Sequence, residues 1–334
     1  MSAGPILVAD VGGTHARFGI AEFRAGTRPP LSNRLDLDAR QFSGFAQALK
    51  HYSAQIGSES LPRAAAIAAA GPIIDHHVNL TNRHWSISEA GLRKLGFTQV
   101  TLINDFAALA YSIETLEPDD VRSIGPEMHG AEGSPISILG AGTGFGVACL
   151  VRHGAQAIPL VTEGGHIAFA PNDDEQVRIL QKLRVRFERV SVERILSGVG
   201  LESLYRIQEE FAGCEGAVLS AAELTGRAAQ GEPHCLKTVS LFCSIYGAVA
   251  GDIALAHGAR GGVVVAGGIA RKIEPLLLAS TFREHFESKG RLSHYVKSIP
   301  TKLLIDSDAA LRGAARAAVQ TCPRLSHACA QISR

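Results

Sequence analysis

The chain has 334 residues, which is enough for two domains that each bury a core. Hydrophobic residues make up 46% and charged residues 19%, which excludes a disordered chain and indicates an ordinary globular protein. The formal net charge of +1 argues against a general binder of nucleic acid or anionic membranes, because both need a basic excess.

The cysteines indicate a reducing compartment. None of the six forms a C-x-x-C pair, and their spacing suits neither a disulfide framework nor a zinc site. The first five residues are too short and too weakly apolar for a signal peptide. No run approaches the roughly 20 apolar residues of a membrane helix. We therefore expect a cytoplasmic protein without a membrane partner.

Residues 6–22 predict a β-hairpin whose turn is rich in glycine. The turn reads Asp10-Val11-Gly12-Gly13-Thr14 and lies between two apolar runs. Glycines let backbone N–H groups crowd a bound anion, and the Thr14 hydroxyl adds a donor. The turn is not a Walker A loop, because it lacks G-K-[ST] and leads to a strand. Asp10 could hold Mg²⁺ beside phosphate oxygens, or bond the backbone of its own turn.

The next elements predict an α/β arrangement. Residues 42–51 are expected to be helical, residues 64–70 to be a buried strand, and residues 100–103 to be another short strand. The second strand runs into Asn104-Asp105 and then an apolar helical stripe. Ligand groups often lie where a strand meets a helix, so Asp105 could act as a general base. Asn and Asp are also among the best helix N-caps, and that alternative stays open.

The stretch 117–133 is rich in Pro, Gly, Asp and Glu, and we place a domain boundary near its start. The expected small domain holds residues 1–116 plus 307–334, and the large domain holds residues 117–306. A second hairpin, residues 136–151, carries a turn of related sequence roughly 130 residues after the first. That period is too long for a solenoid and suits a duplicated domain. Its turn includes Gly142-Thr143-Gly144 and no carboxylate, so we expect it to cradle phosphate alone.

Polar groups follow in the large domain. Glu163 and His166, in Thr162-Glu163-Gly164-Gly165-His166, could bracket vicinal hydroxyls, although a solvated Glu and a structural His are equally ordinary. The local sequence around Glu193 predicts an ordinary surface residue at a helix end. The pair Gly267-Gly268 follows a buried strand at residues 262–266 and could admit adenine and ribose, or only turn the chain.

The remaining predicted elements are helical or short. Residues 238–257 predict a long helix that ends at Gly258, a suitable C′ residue. Residues 303–306 predict a last strand. An Ala-rich helix follows over residues 308–320, with Ser307 or Asp308 as its cap. The tail from about Cys322 has no clear pattern.

Taken in order, these segments resemble the bacterial glucokinases of the hexokinase/actin/Hsp70-like superfamily, over nearly the whole chain. The stretches that carry the resemblance are ADVGGTHARFGI, LTNRHW around Asn82 and Trp85, INDFAALAYSI, LGAGTGFGVACLV, TEGGHIAFAPND, VERILSGVGLESLY, GGVVVAGGIA and DAALRGAARAA. Each is weak alone, but their joint order and spacing are specific. The resemblance implies an α/β fold of the ribonuclease H-like, actin-like ATPase type: two related domains, each with a mixed sheet flanked by helices, and a cleft between them.

The resemblance also implies roles for individual residues. The family transfers the γ-phosphoryl group of ATP to the 6-hydroxyl of glucose with Mg²⁺, and it is typically a homodimer that closes on sugar binding. Asp105 would be the catalytic base, and Asp10 would hold Mg²⁺ through water. The sugar-contacting positions would be Asn104, Asp105, Glu163, His166 and Glu193. The nucleotide-contacting positions would be Ala9, Asp10, Val11, Gly12, Gly13, Thr14, Gly142, Thr143, Gly144, Gly267 and Gly268.

The chain departs from the family pattern at two places. His15 stands where Asn is more frequent, and Ala168 where an acidic residue is frequent. The cysteine-rich zinc motif and the helix-turn-helix extension of related repressors are absent, which disfavours a DNA-binding repressor. Two alternatives stay open: a kinase for another hexose, and a nucleotide-regulated regulatory protein on the same fold, since fold does not fix function.

Overall fold

The structure, a computed structural model, describes residues 3–23, 28–57, 61–80, 83–154, 156–214 and 217–321. Asn82, Cys322, Cys329 and the C-terminal tail lie outside the described residues. The chain divides into two compact units. Unit 1 is drawn from Met1–Pro118, Ala157–Val161 and Asp306–Arg334, and unit 2 from Asp119–Gln156 and Thr162–Ile305.

The described residues form strands β1 to β13, in chain order. They are β1 (Ala3–Val11), β2 (His15–Phe23), β3 (Leu31–Asp38), β4 (Ala64–Ala69), β5 (His77–Asn79), β6 (Ser86–Ser88), β7 (Gln99–Asn104), β8 (Val121–Ser123), β9 (Ile136–Ala141), β10 (Phe145–His153), β11 (Gln156–Thr162), β12 (Gly262–Ala266) and β13 (Thr301–Leu304).

The described α-helices run from α1 to α12. They are α1 (Phe45–Gln55), α2 (Glu89–Lys94), α3 (Asp105–Ser112), α4 (Asp174–Arg186), α5 (Gly198–Ala212), α6 (Ala221–Ala229), α7 (Pro233–His257), α8 (Gly268–Lys272), α9 (Glu274–Leu278), α10 (Phe282–Glu287), α11 (Ser293–Lys297) and α12 (Ala309–Thr321).

Unit 1 is built on a five-stranded sheet in the order β3-β2-β1-β4-β7. The predicted hairpin is β1 and β2, and β1, β4 and β7 are parallel to one another. Successive side chains of a strand point to opposite faces. Leu7 of β1 accordingly packs in the core on the α1 face, and Ile6 packs in the core beneath α12. Because the parallel strands are covered on both faces, they read in the sequence as continuous apolar runs.

Helices α3 and α12 lie together on one face of this sheet. Their contact is close because Gly313 of α12 packs directly on the backbone of Ala108 in α3, where a Cβ would collide. Both helices are rich in alanine along the buried side, which allows the close approach. The predicted helix over residues 308–320 is thereby confirmed, and its packing holds the start of α3 at the sheet edge.

Unit 2 repeats the plan of unit 1. Within unit 2 the strand order is β10-β9-β12-β13-β8. As with β2-β1-β4-β7, an antiparallel hairpin (β10 and β9) is followed by two parallel strands (β12 and β13). The predicted repeat of a hairpin within an α/β domain is confirmed, and so is the fold class of two sheets flanked by helices.

Several predicted elements differ from the structure at their ends. The short strand β8 lies inside the stretch 117–133, where no strand was predicted, and it pairs antiparallel with β13. Three residues with a central Arg122 carry too little apolar pattern to predict a strand. Helix α1 begins at Phe45 rather than residue 42, because Ala39–Gln41 form a separate 3₁₀ turn. Helix α7 begins at Pro233, five residues before the predicted start, since Glu232 caps it. It ends at Gly258 in the left-handed conformation, as predicted.

The expectation that no run is long enough to span a membrane needs correction. Helix α7 has 25 residues and is long and apolar enough to cross a bilayer by length and composition. Most of it is buried inside unit 2, as in the core helix of a folded domain. Its apolar character is therefore weak evidence for a membrane.

Candidate active site

The first glycine turn, between β1 and β2, presents unpaired backbone donors. Gly12 N–H donates to the His15 carbonyl at 2.9 Å, and Ala39 N–H donates to the Thr14 carbonyl at 2.9 Å. The Gly13 carbonyl accepts from Nε of Arg83 at 2.7 Å. Within the described residues, the N–H groups of Gly13 and Thr14 have no acceptor. Successive backbone N–H groups of this kind form an anion-binding concavity.

The carboxylate of Asp10 lies beside an arginine of the partner strand. Asp10 and Arg17 are register partners across the hairpin, and Nη1 of Arg17 is 3.2 Å from Oδ2 of Asp10. Nε of Arg17 also contacts Asp36 at 3.1 Å. Burial acts to lower the pKa of Arg17, but the charges of Asp10 and Asp36 outweigh it and raise that pKa. Nδ1 of His15 lies 2.9 Å from Oδ1 of Asp36, and this hydrogen bond explains the position of the His15 side chain without a contact to nucleotide.

Arg17 is not among the site residues predicted from the sequence, although the pattern of the hairpin contains a signal for it. Opposite charges placed across an antiparallel pair stabilise it, and the turn length sets which residues face each other. Ala9 and Val11 are fully buried in the core, and the Val11 carbonyl accepts from Ala70 N–H at 2.9 Å. Any contact from Ala9 or Val11 to a nucleotide must come from the backbone.

Asn104 and Asp105 lie at the same edge of the unit 1 sheet as the first turn. Val11, Ala69 and Asn104 are in register across β1, β4 and β7, so the three parallel strands end in one row. Two strand spacings separate the end of β1 from the end of β7, roughly 10 Å. The sheet order therefore brings a polar pair and an anion-binding turn to one side of unit 1.

Asn104 is the N-cap of α3. Its Oδ1 accepts from Phe106 N–H at 2.9 Å and Ala107 N–H at 3.2 Å, and its Nδ2 donates to the Gly71 carbonyl at 3.1 Å. No second acceptor for Nδ2 occurs in the part of the chain that the structure describes, so one amide hydrogen remains for a ligand. Asp105 is the first residue of α3 and is half-buried, and its Oδ1 accepts from Phe106 N–H at 3.0 Å. The cap alternative thus applies to Asn104 and leaves Asp105 a candidate base.

The second glycine turn, between β9 and β10, also presents unpaired donors. Gly142 N–H donates to the Gly144 carbonyl at 2.8 Å, and Gly198 N–H donates to the Gly142 carbonyl at 2.9 Å. The N–H groups of Thr143 and Gly144 have no acceptor among residues 3–321 as far as these are described. The two turns therefore share the property that suits an anion.

The expectation that the second turn lacks a carboxylate is wrong in the folded chain. Oε2 of Glu193 accepts from Phe145 N–H at 2.8 Å, although the two residues are 48 positions apart. The same carboxylate lies so close to Gly144 that a Cβ there would collide with it. Glu193 is half-buried against the turn and not a solvated surface residue.

Glu163 and His166 lie on a short 3₁₀ turn that packs beside β10. Oε2 of Glu163 is 3.9 Å from Nε2 of His166, and both side chains are exposed. The glycines between them are required by packing: Gly164 abuts the Val147 side chain, and Gly165 abuts the Phe145 carbonyl. This turn and Glu193 therefore both contact Phe145, so three of the predicted sugar-contacting residues lie together in unit 2.

Gly267 and Gly268 lie at the same edge as the second turn, because Ala266 pairs with Gly140 across β12 and β9. Gly267 has a positive φ of 92°, and a Cβ there would meet the backbone of Ala141. Gly268 has no heavy atom within 4 Å of its Cβ position. Gly267 is thus required by the fold, and Gly268 leaves space for a ligand.

Tyr246 of α7 packs against this edge of the sheet, and it is not among the residues predicted from the sequence. Its buried hydroxyl accepts from Ala141 N–H at 3.2 Å. Burial raises the pKa of Tyr246, so the hydroxyl stays protonated. Nothing in the local sequence separates this tyrosine from the other apolar residues of a long core helix.

The described residues contain no large cluster of metal-binding side chains. No group of three or more His, Cys, Asp or Glu side chains that could hold a metal occurs in the described ranges. Mg²⁺ is usually held by one or two carboxylates with substrate phosphates and water.

Comparisons with known proteins agree on one family. A family model described as Glucokinase matches residues 7–321. The chain is 46% identical over 315 residues to a glucokinase of Caulobacter sp. (strain K31), covering 94% of this chain and 95% of that protein. It also matches the crystal structure of a glucokinase from an Antarctic psychrotroph with a TM-score of 0.81 and 37% identity, covering 93% and 98% of the two chains.

A more distant structure shares the fold alone. It is a ROK family glucokinase from Streptomyces griseus in complex with glucose and AMPPNP, with a TM-score of 0.64 and 17% identity. The match covers 93% of this chain and 98% of that one.

Proposed function

The chain belongs to the glucokinase family and catalyses ATP-dependent phosphorylation of glucose, and from this we propose that Asp105 is the general base for transfer to the 6-hydroxyl. The observation that carries the proposal is the common end of β1, β4 and β7. This row places Asp105 at the same sheet edge as the N–H groups of Gly13 and Thr14. Phosphoryl transfer needs a positioned acceptor and stabilised charge more than covalent help from the protein.

We propose that both glycine turns bind the phosphate chain of ATP. The unpaired N–H groups described above support this, and the hydroxyls of Thr14 and Thr143 add donors. Adenosine would lie near Gly267 and Gly268, where Gly268 leaves open space. Residues Asp10, Gly12 and Gly142 would shape the two turns around the phosphates, and Ala9 and Val11 would contribute through the backbone.

We propose that Asp10 holds Mg²⁺ through water. A single carboxylate next to a phosphate turn supports this, and its pairing with Arg17 fixes the side chain in place. When bound, the ion would neutralise phosphate charge. The residues of the chain have separate tasks: Arg17 holds Asp10, and the turn N–H groups hold oxygens of the nucleotide.

We propose that glucose contacts Asn104, Asp105, Glu163, His166 and Glu193. The remaining amide hydrogen of Asn104 can donate to a sugar hydroxyl, and the Asp105 carboxylate can accept the proton of the attacking hydroxyl. Glu163 and His166 are exposed and close enough to engage neighbouring hydroxyls. Glu193 uses Oε2 on Phe145 N–H, which leaves Oε1 for the sugar.

We further propose a small domain of residues 1–116 plus 307–334 and a large domain of residues 117–306, in a cytoplasmic homodimer. Four described cysteines are unpaired thiols, which supports a reducing compartment. The formal net charge of +1 supports the absence of a nucleic-acid or membrane partner.

Replacement of Asp105 by Asn tests the assignment of the base. Loss of general base catalysis should lower kcat by about 10²–10⁴-fold while the variant still folds and binds ATP. Asp174→Asn is the matched control, because Asp174 is also the first residue of a helix and is exposed. A coupled assay of glucose phosphorylation with circular dichroism gives both readouts. An Asp105→Asn enzyme with a rate like that of Asp174→Asn would show that another group takes the proton.

A further inference from the structure

Arg83 reaches the first glycine turn from a distant loop. Its Nε donates to the Gly13 carbonyl at 2.7 Å, across 70 positions of sequence. The side chain is half-buried, and the bond is short for an N–H···O contact. Neither the glycine motif nor the segment around Trp85 assigns Arg83 a task.

The loop holds Arg83 firmly in this place. Arg83 N–H donates to the Leu80 carbonyl at 3.2 Å, and Leu80 N–H donates to the Trp85 carbonyl at 3.0 Å. Trp85 is buried in the core, and its Nε1 donates to the Phe42 carbonyl at 3.3 Å. The guanidinium carbon lies 5.8 Å from the centre of the Trp85 ring, within cation–π range. The core of unit 1 thus fixes the reach of the side chain.

The accepting carbonyl belongs to the peptide that carries Thr14 N–H. A trans peptide is planar, so its C=O and N–H point in opposite directions. When Arg83 holds the Gly13 carbonyl, it also fixes the direction of Thr14 N–H. That N–H is one of the two donors of this turn without an acceptor among the described residues.

The charge of Arg83 at this turn is not offset by a carboxylate. Among the described residues, the Arg83 guanidinium donates to the Gly13 carbonyl, lies over the Trp85 ring and forms no salt bridge with a carboxylate. Arg17, by contrast, is paired with both Asp10 and Asp36. A hydrogen bond from a cation is stronger than a neutral one, and it polarises the peptide so that its N–H becomes a better donor.

We propose that Arg83 is a positioning residue that aims and polarises the Gly13–Thr14 peptide toward the phosphate chain of the nucleotide. The inference rests on the proposed role of the first turn and deepens it. Arg83 acts through the peptide, so no direct contact between its side chain and the phosphates is needed. The ligand class is a nucleoside di- or triphosphate, because only its phosphates meet the aimed N–H.

A series of substitutions separates charge from hydrogen bonding. Arg83→Lys keeps the charge, Arg83→Gln keeps a neutral donor, and Arg83→Met keeps neither. Arg83→Met should raise the KM for ATP and the Kd for ADP by about tenfold, the size expected for loss of a charge-assisted hydrogen bond. Arg83→Lys should recover part of this loss, and more of it than Arg83→Gln. The KM for glucose should change less than twofold in all three.

Arg93→Met is the matched control, because Arg93 is an exposed arginine of the same unit that pairs with Glu89 at 3.1 Å. Calorimetry with ADP and with adenosine supplies a readout that a merely structural role would not move. Weaker binding of ADP with unchanged binding of adenosine supports the proposal. Thermal melting shows whether each variant is folded, and Arg83→Lys and Arg83→Gln carry the test if Arg83→Met is not.

Three results would overturn the inference in distinguishable ways. If the unaltered protein binds ADP but Arg83→Met binds it as Arg93→Met does, Arg83 does not position the turn and the proposed phosphate site stands. If the unaltered protein does not bind ADP, the proposed phosphate site itself is wrong. An equal loss of ADP and adenosine binding would also reject the role, since it marks general disruption.

Discussion

The two glycine turns have related sequences, but groups of opposite charge hold them. At the first turn a cation, Arg83, binds a carbonyl. At the second turn an anion, Glu193, binds the N–H of Phe145. Both supporting groups come from far along the chain. A shared motif therefore gives two turns with the same donors and different electrostatic surroundings.

The difference has a chemical consequence for an anionic ligand. At the first turn Arg83 adds positive charge near the N–H groups of Gly13 and Thr14, and the Asp10 carboxylate of that turn is paired with Arg17. At the second turn the Glu193 carboxylate adds negative charge beside Gly144. We therefore expect the first turn to hold phosphate more strongly than the second. Replacing the carboxylate at each turn, Asp10 or Glu193, tests whether the two turns differ in function.

The largest expected effect comes from the carboxylates at the two turns. Asp10→Asn should lower kcat by about 10–100-fold and raise the Mg²⁺ concentration needed for half-maximal rate, since loss of an outer ligand costs this much at metal sites. Glu193→Gln keeps an acceptor for Phe145 N–H, so the second turn should stay in place. It removes the carboxylate charge proposed to contact glucose, so it should raise the KM for glucose and leave the Mg²⁺ requirement unchanged. Magnesium titrations of the initial rate measure both.

Asp10→Asn should also affect turnover more than sugar binding. Glucose affinity by calorimetry is the control, and it should stay near that of the unaltered protein. An equal shift of the Mg²⁺ requirement in the two variants would remove the distinction between the turns.

A smaller effect is expected from adding a methyl group to each turn. In Gly144→Ala the new Cβ would collide with the Glu193 carboxylate. The end of the Glu193 side chain can move aside, but it then loses its charge-assisted hydrogen bond from Phe145 N–H, which costs about 1.5–3 kcal/mol of stability. In Gly12→Ala the nearest atom is the His15 carbonyl oxygen at 3.7 Å, an ordinary contact, so stability should change little. Urea unfolding of the two variants compares them, and equal midpoints would show that Glu193 does not crowd the second turn.

The smallest effect is expected below the second turn. Tyr246→Phe removes the acceptor of Ala141 N–H, which is buried. Because the bond is long at 3.2 Å, the expected loss of unfolding free energy is about 1 kcal/mol. Tyr205→Phe is the control, since Tyr205 is also buried and its hydroxyl has no hydrogen-bond partner among the described residues. Thermal unfolding of both variants at one pH measures the difference. An equal loss of stability in Tyr246→Phe and Tyr205→Phe would show that the hydrogen bond to Ala141 N–H is not the cause.

Much of the fold could be predicted because its signals are local. The hairpin of β1 and β2 follows from two apolar runs around a glycine turn, and the end of α7 follows from Gly258. The N-cap role of Asn104 was one of two alternatives and follows from the chemistry of its side chain. The starts of α1 and α7 were misplaced, because a neighbouring 3₁₀ turn and a capping Glu232 compete with periodicity.

The candidate site was predictable in its residue types and not in its contacts. Asp10, Asp105 and the glycines could be predicted from the sequence, because ligand-binding groups often lie at strand ends and in turns. Arg17 could have been found from the hairpin register. Arg83 could not be found in this way, and neither could the contact of Glu193 with the second turn. Each side chain reaches its turn from a segment whose path no local pattern encodes.

By itself, the sequence determined the α/β class, the repeated hairpins and their two glycine turns, because hydrogen-bond patterns and apolar periodicity depend on neighbours along the chain. Only the tertiary structure decided the charge around each turn. It also decided that Asp105 shares a sheet edge with the first turn, through the order β1-β4-β7. The physical reason is that electrostatic surroundings depend on distance in space, and residues 48 or 70 positions apart meet only when the sheet order and the loops bring them together.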